Sequence, residues 1–146
     1  MKITDTQLKQ IYAHAGETYP YECCGFLMGG FETGGLVRQV RRATNQNQER
    51  TDRFVISAEE FAQAQFAADE AELEIIGIYH SHPDWPAIPS QTDMESAWEE
   101  IYYLIVSVHE KKPLNSQVWR LAEAGLRRFE WVALEIVDAN EFEQEA

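Results

Sequence analysis

The residues with the clearest capacity for chemistry lie between positions 80 and 93. His80 and His82 are two positions apart, and Asp93 follows His82 by eleven residues. Neutral imidazole nitrogens and a carboxylate oxygen are ligands that a catalytic Zn²⁺ accepts, and three protein ligands leave the fourth tetrahedral position open. The pattern therefore indicates a divalent metal site.

The two histidines fall at the end of a predicted strand, residues 74–82, which Pro83 terminates. Residues i and i+2 of a strand project from the same face, so His80 and His82 point together. The pair alone is weak evidence, because two ordinary core or surface histidines would give the same letters.

Asp93 also has an ordinary explanation. Ser90-Gln91-Thr92-Asp93 fits the capping box, which starts a helix with Ser90 and places a carboxylate in its first turn. The proline-rich loop before Ser90 can return this helix start to the end of the strand, so that one carboxylate serves both purposes. A divalent metal is favoured on these grounds, with non-haem iron as an alternative to zinc because it takes the same ligand types.

A metal site becomes hydrolytic only with a base near the attacking water. Glu22 is the candidate, because it directly precedes the apolar segment 23–28, where a charged group is costly unless it faces water or a partner. An exposed acid at the start of a strand is the alternative explanation.

Composition limits the classes of partner. The chain has 146 residues, of which 45% are apolar, and its formal charge is −13. This length suits one domain, 1–146, and the charge disfavours nucleic acid and anionic lipid as partners. The sequence contains neither a spanning apolar run nor an apolar signal segment, so we expect no membrane association. The two cysteines are neighbours, which predicts no disulfide and is consistent with a cytoplasmic location.

The apolar pattern predicts an α+β fold, a mixed sheet flanked by helices. Helices are predicted at 4–18, 57–72 and 90–99, and strands at 23–28, 36–43, 74–82, 101–108, 117–121 and 126–137. Strand 101–108 is expected to be central, and a turn at 123–125 separates the last two strands. The acidic tail 138–146 is expected to be a solvated, flexible segment.

Other reactive residue types have simpler interpretations. Arg38, Arg41 and Arg42 form a basic cluster that guards a sheet edge or contacts an acidic partner. The adjacent cysteines are interpreted as small apolar residues of a buried strand. The remaining histidines, His14 and His109, are interpreted as structural or surface residues.

Taken together, the motif residues resemble the JAMM (MPN-plus) metalloprotease family. The motif comprises Glu22, His80-Ser81-His82-Pro83, Ser90 and Asp93, and the segment Tyr19-Pro20-Tyr21-Glu22-Cys23-Cys24-Gly25 is similar to one in small prokaryotic members. The resemblance extends from the first helix to strand 101–108. It implies an MPN/JAMM-like domain with a mixed, mostly antiparallel sheet.

The resemblance also implies roles for these residues. His80, His82 and Asp93 would ligate one Zn²⁺ per chain. Glu22 would take a proton from the attacking water and pass it to the leaving amine, and Ser90 would donate a hydrogen bond to the oxyanion. Ser81, a further motif position, would support the site.

The implied substrate is the tail of a ubiquitin-like protein. The chain is most similar to small bacterial members, which would cleave after the C-terminal Gly-Gly of a ubiquitin-like sulfur-carrier protein and release cysteine or a short extension. A deubiquitinase-like isopeptidase and a non-catalytic MPN scaffold that binds such a partner are the alternatives. Trp85 and loop 45–53 are candidate lips of a groove that would bind the Gly-Gly tail. The alternative for Trp85 is a hydrophobic plug of its own loop. A homodimer is a further expectation.

Overall fold

A computed structural model gives the structure of the chain over residues 1–121 and 128–140. Its helices and strands are, in chain order, β1 (Lys2–Thr4), α1 (Asp5–Thr18), β2 (Cys24–Gly30), β3 (Leu36–Ala43), α2 (Ala58–Glu70), β4 (Glu74–Pro83), α3 (Gln91–Ser96), β5 (Tyr102–His109), β6 (Lys112–Leu121), β7 (Phe129–Val132) and β8 (Glu135–Val137).

Within these described ranges the strands form one eight-stranded sheet in the order β7-β6-β5-β4-β2-β3-β1-β8. The pairs β4–β5, β1–β3 and β1–β8 are parallel, and the other neighbours are antiparallel. The predicted α+β class with a mixed, mostly antiparallel sheet is confirmed, and β5 is an interior strand as expected.

The sheet is covered on both faces, which is why its central strands are apolar throughout. Ile11 and Ala15 of α1 pack on one face in a buried cluster that includes Leu27, Ile76 and Leu104. A second buried cluster contains residues of α2 and of the opposite side of the same strands; its members include Phe26, Ala64, Ala68, Ile78 and Tyr103. β4 is therefore buried on both sides, and its end is a rigid platform.

The chain start differs from the prediction. Residues 2–4 form β1, and Thr4 is the N-cap of α1 instead of its first helical residue. The Thr4 hydroxyl accepts from the Gln7 amide at 3.1 Å, and the Gln7 side-chain oxygen accepts from the Thr4 amide at 3.0 Å. A three-residue strand carries too little alternation to be recognised from sequence.

The C-terminal strands also differ. β6 begins at Lys112 instead of residue 117, because polar residues on its exposed face mask the pattern. The predicted strand 126–137 is in fact two strands, and β8 pairs in parallel with β1 at the opposite edge of the sheet from β7. The predicted turn at 123–125 lies outside the described residues, as does the acidic tail beyond residue 140.

One smaller prediction is corrected, and the structure adds the arrangement of the basic cluster. α3 ends at Ser96 instead of residue 99. The basic cluster divides between faces, because residues alternate along β3: Arg42 pairs with Glu17 of α1 at 2.6 Å, whereas Arg41 borders α2. Among the described residues, no helix combines the length and apolarity needed to cross a membrane.

Candidate metal centre and cleft

The end of β4 brings the two predicted histidine ligands together. β4 is hydrogen-bonded to β2 on one side and β5 on the other, and His80 lies opposite Cys24 and Ile105 in these pairings. The two Nε2 atoms of His80 and His82 are 3.3 Å apart. Asp93 Oδ2 lies 3.3 Å from His80 Nε2 and 3.0 Å from His82 Nε2.

The size of this triangle fits a tetrahedral metal. Ligand bonds of about 2.0–2.1 Å to zinc place neighbouring ligand atoms about 3.3–3.4 Å apart in a regular tetrahedron. The three observed separations, 3.0 to 3.3 Å, are close to that spacing. Among the described residues this is the group of histidine, cysteine and acidic side chains with the arrangement to hold a metal ion.

Hydrogen bonding at His82 points to a cation at the centre of the triangle. The Pro86 carbonyl lies 2.8 Å from His82 Nδ1, and because a carbonyl only accepts, Nδ1 carries the proton. In the neutral ring the Nε2 lone pair then faces Asp93 Oδ2, another acceptor. Two facing acceptors repel unless a proton or a cation lies between them, so the donor set suits a metal.

The loop after β4 is held by side chains from neighbouring strands. The carbonyls of residues 85, 86 and 87 each accept a side-chain hydrogen bond: from Ser107 Oγ at 2.6 Å, from His82 Nδ1 at 2.8 Å and from Trp119 Nε1 at 2.9 Å. A fixed carbonyl at Pro86 fixes the ring plane of His82, as outer partners of metal ligands commonly do.

His80 lies deeper than His82. Its ring is stacked on Phe54 with 4.7 Å between centroids, and the side chain is 1% exposed. Burial lowers the pKa of His80, which keeps the ring in the neutral form that ligates metals. Among the described residues, His80 Nδ1 has no hydrogen-bond partner.

Ser90 and Asp93 form the predicted capping box and also reach the site. The Asp93 amide donates to Ser90 Oγ at 3.0 Å, and the Ser90 amide donates to Asp93 Oδ2 at 2.9 Å. Burial acts to raise the pKa of Asp93, but the neighbouring His80 and the hydrogen bond from the Ser90 amide outweigh it and hold that pKa below its usual range. The ionised carboxylate is therefore the stable form. Asp93 can serve in the helix cap and as a metal ligand at the same time.

Glu22 borders the same cleft from the other side. The residue is 2% exposed, and among the described residues its Oε1 has no hydrogen-bond partner. Burial, with contributions from Asp93 and Asp52, raises the pKa of Glu22 to about 9, and Arg53 partly offsets them. A buried carboxyl with a perturbed pKa in a cleft is typical of catalytic acids and bases.

The cleft has a volume of about 910 Å³ and lies between two loops. Residues 49–52 form one side, and residues 85–92 form the other, with Glu22, His82 and Ser90 in the lining. Trp85 is 67% exposed, so it borders the cleft and is not a buried plug. Trp85 and residues 49–52 of the predicted lip loop thus line the cleft together with Glu22, His82 and Ser90.

The remaining reactive groups lie elsewhere. Burial raises the pKa of the Cys23 thiol to about 12, so the thiol stays protonated, and both cysteines are free and buried as expected. His14 Nδ1 lies 2.7 Å from the Tyr79 hydroxyl on the α1 side of the sheet. His109 Nδ1 lies 3.1 Å from Asp84 Oδ1 at the surface.

Ser81 points away from the two histidines and accepts a hydrogen bond from the Cys23 amide at 2.8 Å. This contact holds the chain next to Glu22, in keeping with the predicted supporting role. Sequence reasoning missed Asn45, Phe54, Ser107 and Trp119. No spacing rule links these residues to the motif. The one available signal is the run of polar residues that follows strand β3 and includes Asn45.

Comparison with known proteins places the chain among JAB-domain sequences. The model of the family described as prokaryotic homologs of the JAB domain matches residues 5–122. A desampylase of Pyrococcus furiosus is 35% identical over 104 residues, which are 70% of this chain and 68% of the relative. A CysO-cysteine peptidase of Mycobacterium tuberculosis is 30% identical over 116 residues, 78% of this chain and 77% of the relative.

Solved structures agree with the architecture. The solution structure of a Salinibacter ruber protein superposes with a TM-score of 0.73. The two sequences are 38% identical, and the match covers 95% of this chain and 93% of the other. A JAB1/MPN domain protein from Archaeoglobus fulgidus gives a TM-score of 0.61 at 20% identity, covering 94% of this chain and all of its own, 100%. At 20% identity, the similarity to the Archaeoglobus fulgidus protein concerns the fold alone.

Proposed function

The chain belongs to the prokaryotic JAB (JAMM/MPN) family, and from this premise we propose that it is a zinc-dependent peptidase of a small ubiquitin-like protein. In this proposal the enzyme cleaves the bond after a C-terminal Gly-Gly and releases cysteine or a short extension. The names of the relatives, CysO-cysteine peptidase and desampylase, support a peptidase of such proteins.

One observation carries the proposal. Two members of the donor triangle, His80 and Asp93, line a cavity of about 250 Å³. The triangle meets the neighbouring cleft at His82, beside Glu22 and Ser90. Five side chains from three separate parts of the chain converge there, and their types match those that a hydrolytic metal centre needs. A purely structural metal site would have a fourth protein ligand in place of an open cleft.

The residues fit zinc in number, type and spacing. When bound, the ion acts as a Lewis acid and lowers the pKa of a coordinated water to about 7. The three ligand side chains hold it at the end of β4, and the bonds around Pro86 fix the orientation of His82. The added positive charge also favours the ionised form of Glu22, whose pKa burial otherwise raises.

Glu22 is the proton carrier in this proposal. Its Oε1 is buried at the cleft wall and has no competing partner among the described residues. The ionised carboxylate takes a proton from the attacking water, and the resulting acid gives that proton to the nitrogen of the leaving amine.

Ser90 is the oxyanion donor in this proposal. Its Oγ already accepts a hydrogen bond from the Asp93 amide, so the hydroxyl proton remains available to donate. The capping box fixes the Ser90 backbone, and the hydroxyl lies beside the cleft on the loop side opposite Glu22. A donor fixed in advance in this way stabilises developing charge on the carbonyl oxygen.

The cleft suits an extended tail. A Gly-Gly segment has no side chains, so it can pass between residues 49–52 and 85–92 while its carbonyl approaches the metal ligands. The polar and aromatic groups at the two lips are then contacts for the body of the partner. The partner, the cytoplasmic location, the single domain and a homodimer stay predictions.

The test uses a ubiquitin-like carrier that ends in Gly-Gly-Cys. The enzyme loaded with one equivalent of zinc is expected to release cysteine, which mass spectrometry detects as the loss of one residue from the carrier. A carrier that ends in Ala-Ala-Cys is the matched control and is expected to react slowly. A protein that binds iron and consumes dioxygen, or one that binds the carrier without cleaving it, would contradict the proposal.

A further inference from the structure

Asn45 uses its whole side-chain amide next to Glu22, a residue that lines the cleft. It lies two residues after β3, and its Nδ2 donates to the Glu22 carbonyl at 3.0 Å and to the Arg53 carbonyl at 3.2 Å. Its Oδ1 accepts from the Asn47 amide at 2.9 Å and from the Val55 amide at 3.0 Å. An asparagine amide has two donor hydrogens and two acceptor lone pairs, so all four are occupied.

The bond to the Glu22 carbonyl joins two distant parts of the chain. Glu22 precedes β2, which begins at Cys24, so its backbone lies outside the strand pairing that fixes the following residues. The Cys23 amide donates a hydrogen bond to Ser81 Oγ, and the Cys23 carbonyl accepts one from the Ser81 amide. The Cys23 amide and the Glu22 carbonyl belong to one peptide group, so Ser81 and Asn45 fix this peptide together, Asn45 from its carbonyl side.

The same amide also fixes the loop beside Glu22. The loop segment 53–55 contains Arg53, whose positive charge lowers the pKa of Glu22, and Phe54, which stacks on His80. Asn45 contacts the backbone of this segment at both ends. One side chain therefore links the acid, the charged group beside it and the ring that packs on a proposed metal ligand.

We propose that Asn45 is a positioning residue that fixes Glu22 at the cleft wall, in register with the metal ligands. The inference rests on the role given to Glu22 under the proposed function. A shift of about 1 Å in a reacting group can change a rate about 10²-fold, so the position of this carboxyl matters.

Asn47 provides the matched control. It belongs to the same loop, and its Nδ2 donates to the carbonyls of Arg50 and Arg53 at 3.1 and 3.2 Å. It has the same chemistry as Asn45 and makes similar contacts within the loop, but its bonds do not include Glu22. Asn47→Ala therefore loosens the loop and leaves the link to Glu22 in place.

The decisive readout is the titration of Glu22 in the metal-free protein, by NMR of ¹³C-labelled glutamate carboxyls, with Glu22→Gln to assign the signal. The wild-type midpoint is expected to be well above the usual range because the carboxyl is buried. Asn45→Ala is expected to move it down by at least about one pH unit, because a released carboxyl gains water. Asn47→Ala is expected to leave it unchanged.

Asn45→Ser provides a second, milder variant. A serine hydroxyl can still accept from the amide two residues ahead, so the local turn survives, but it is too short to reach the Glu22 carbonyl. If Asn45→Ala does not fold, Asn45→Ser decides the question by the same titration.

Kinetics of the zinc-loaded enzyme give an independent readout. Asn45→Ala is expected to lower kcat by at least about tenfold with a smaller change in KM, whereas Asn47→Ala acts chiefly on KM. An unmoved Glu22 midpoint in both Asn45 variants, or an equal shift in Asn47→Ala, would overturn the inference. Failure of the wild-type enzyme to cleave any carrier would instead refute the proposed function and leave the titration result standing.

Discussion

The two walls of the cleft are built in different ways. The ligand wall, defined here as β4 and residues 84–93, is fixed by strand pairing on both sides of His80 and by the capping box of α3. The base wall, defined as Glu22 and residues 45–56, has no regular secondary structure over most of its loop. Side chains such as Asn45 hold it instead.

This difference suits the two tasks. Metal ligands must keep a fixed geometry, and ladders and caps supply that rigidity. Under the proposed function the base wall accepts an extended tail and also holds a buried carboxyl, so a loop held by a few side-chain bonds is adequate. The comparison predicts that changes to the metal ligands of the ligand wall, or to the bonds that orient them, weaken metal binding, whereas changes in the base wall alter rate and KM with metal retained.

The largest effect on metal binding is expected at Asp93. Asp93→Asn keeps the shape of the side chain and an acceptor for the Ser90 amide, but it removes the charge that faces both histidines. Zinc affinity is expected to fall at least about 100-fold, with activity lost in parallel, because the remaining ligands are two neutral rings. Metal analysis after dialysis against a weak chelator measures this, and full retention of zinc would break the proposed division between the walls.

An effect on rate, with zinc retained, is expected at Ser90. Ser90→Ala removes the proposed oxyanion donor and is expected to lower kcat by about 10²- to 10³-fold. The same change removes a helix cap, worth about 1 kcal/mol of unfolding free energy.

Ser57→Ala separates these two effects. Ser57 caps α2 through the Glu60 amide and has no place in the cleft. Ser57→Ala is expected to lower the free energy of unfolding, measured with denaturant, as much as Ser90→Ala does, while activity is kept. Equal losses of activity in both serine variants would mean that Ser90 acts only as a cap.

An intermediate effect is expected at Ser107, which holds the loop of the ligand wall through the Trp85 carbonyl. Ser107→Ala is expected to weaken zinc binding about tenfold, because it frees the loop that orients His82. Ser116→Ala is the control on the neighbouring strand, where the hydroxyl bonds to Tyr12 on α1. A competition titration with a metal indicator compares the two variants, and identical affinities would show that the loop does not depend on Ser107.

The smallest effect is expected at Arg50 in the base wall. Arg50 pairs with Asp52 at 2.6 Å, with both side chains about half exposed. Arg50→Ala is expected to change KM a few-fold and unfolding free energy by less than about 1 kcal/mol, with zinc affinity unaltered. Lys9→Ala, which breaks a remote exposed pair with Asp5, is the control for surface charge. Loss of zinc in Arg50→Ala would contradict the separation of the walls.

Sequence reasoning reached the ligand wall more readily than the base wall. His80, His82, Ser90 and Asp93 lie within one short segment, so their types and spacing are visible together, and the structure places them close to one another. Glu22 required the family resemblance, because nothing in its local pattern distinguishes it from an exposed acid.

Long-range contacts account for most of what the sequence did not reveal. Asn45 reaches Glu22 across 23 positions, and Trp119 reaches Ala87 across 32. Such bonds between a side chain and a distant backbone carbonyl leave no local period. The residues of β8 were predicted as strand, but its pairing with β1 was missed for the same reason, because that pairing depends on the path of the chain across the sheet.

The central claim is that Glu22 does proton chemistry at a metal held by the other wall. The direct measurement is zinc content and carrier cleavage in Glu22→Gln, which keeps the shape of the side chain and removes its basicity. The account predicts one zinc per chain, as in the wild type, with cleavage of the Gly-Gly-Cys carrier reduced at least about 10³-fold. Cleavage at the wild-type rate with zinc retained would contradict it.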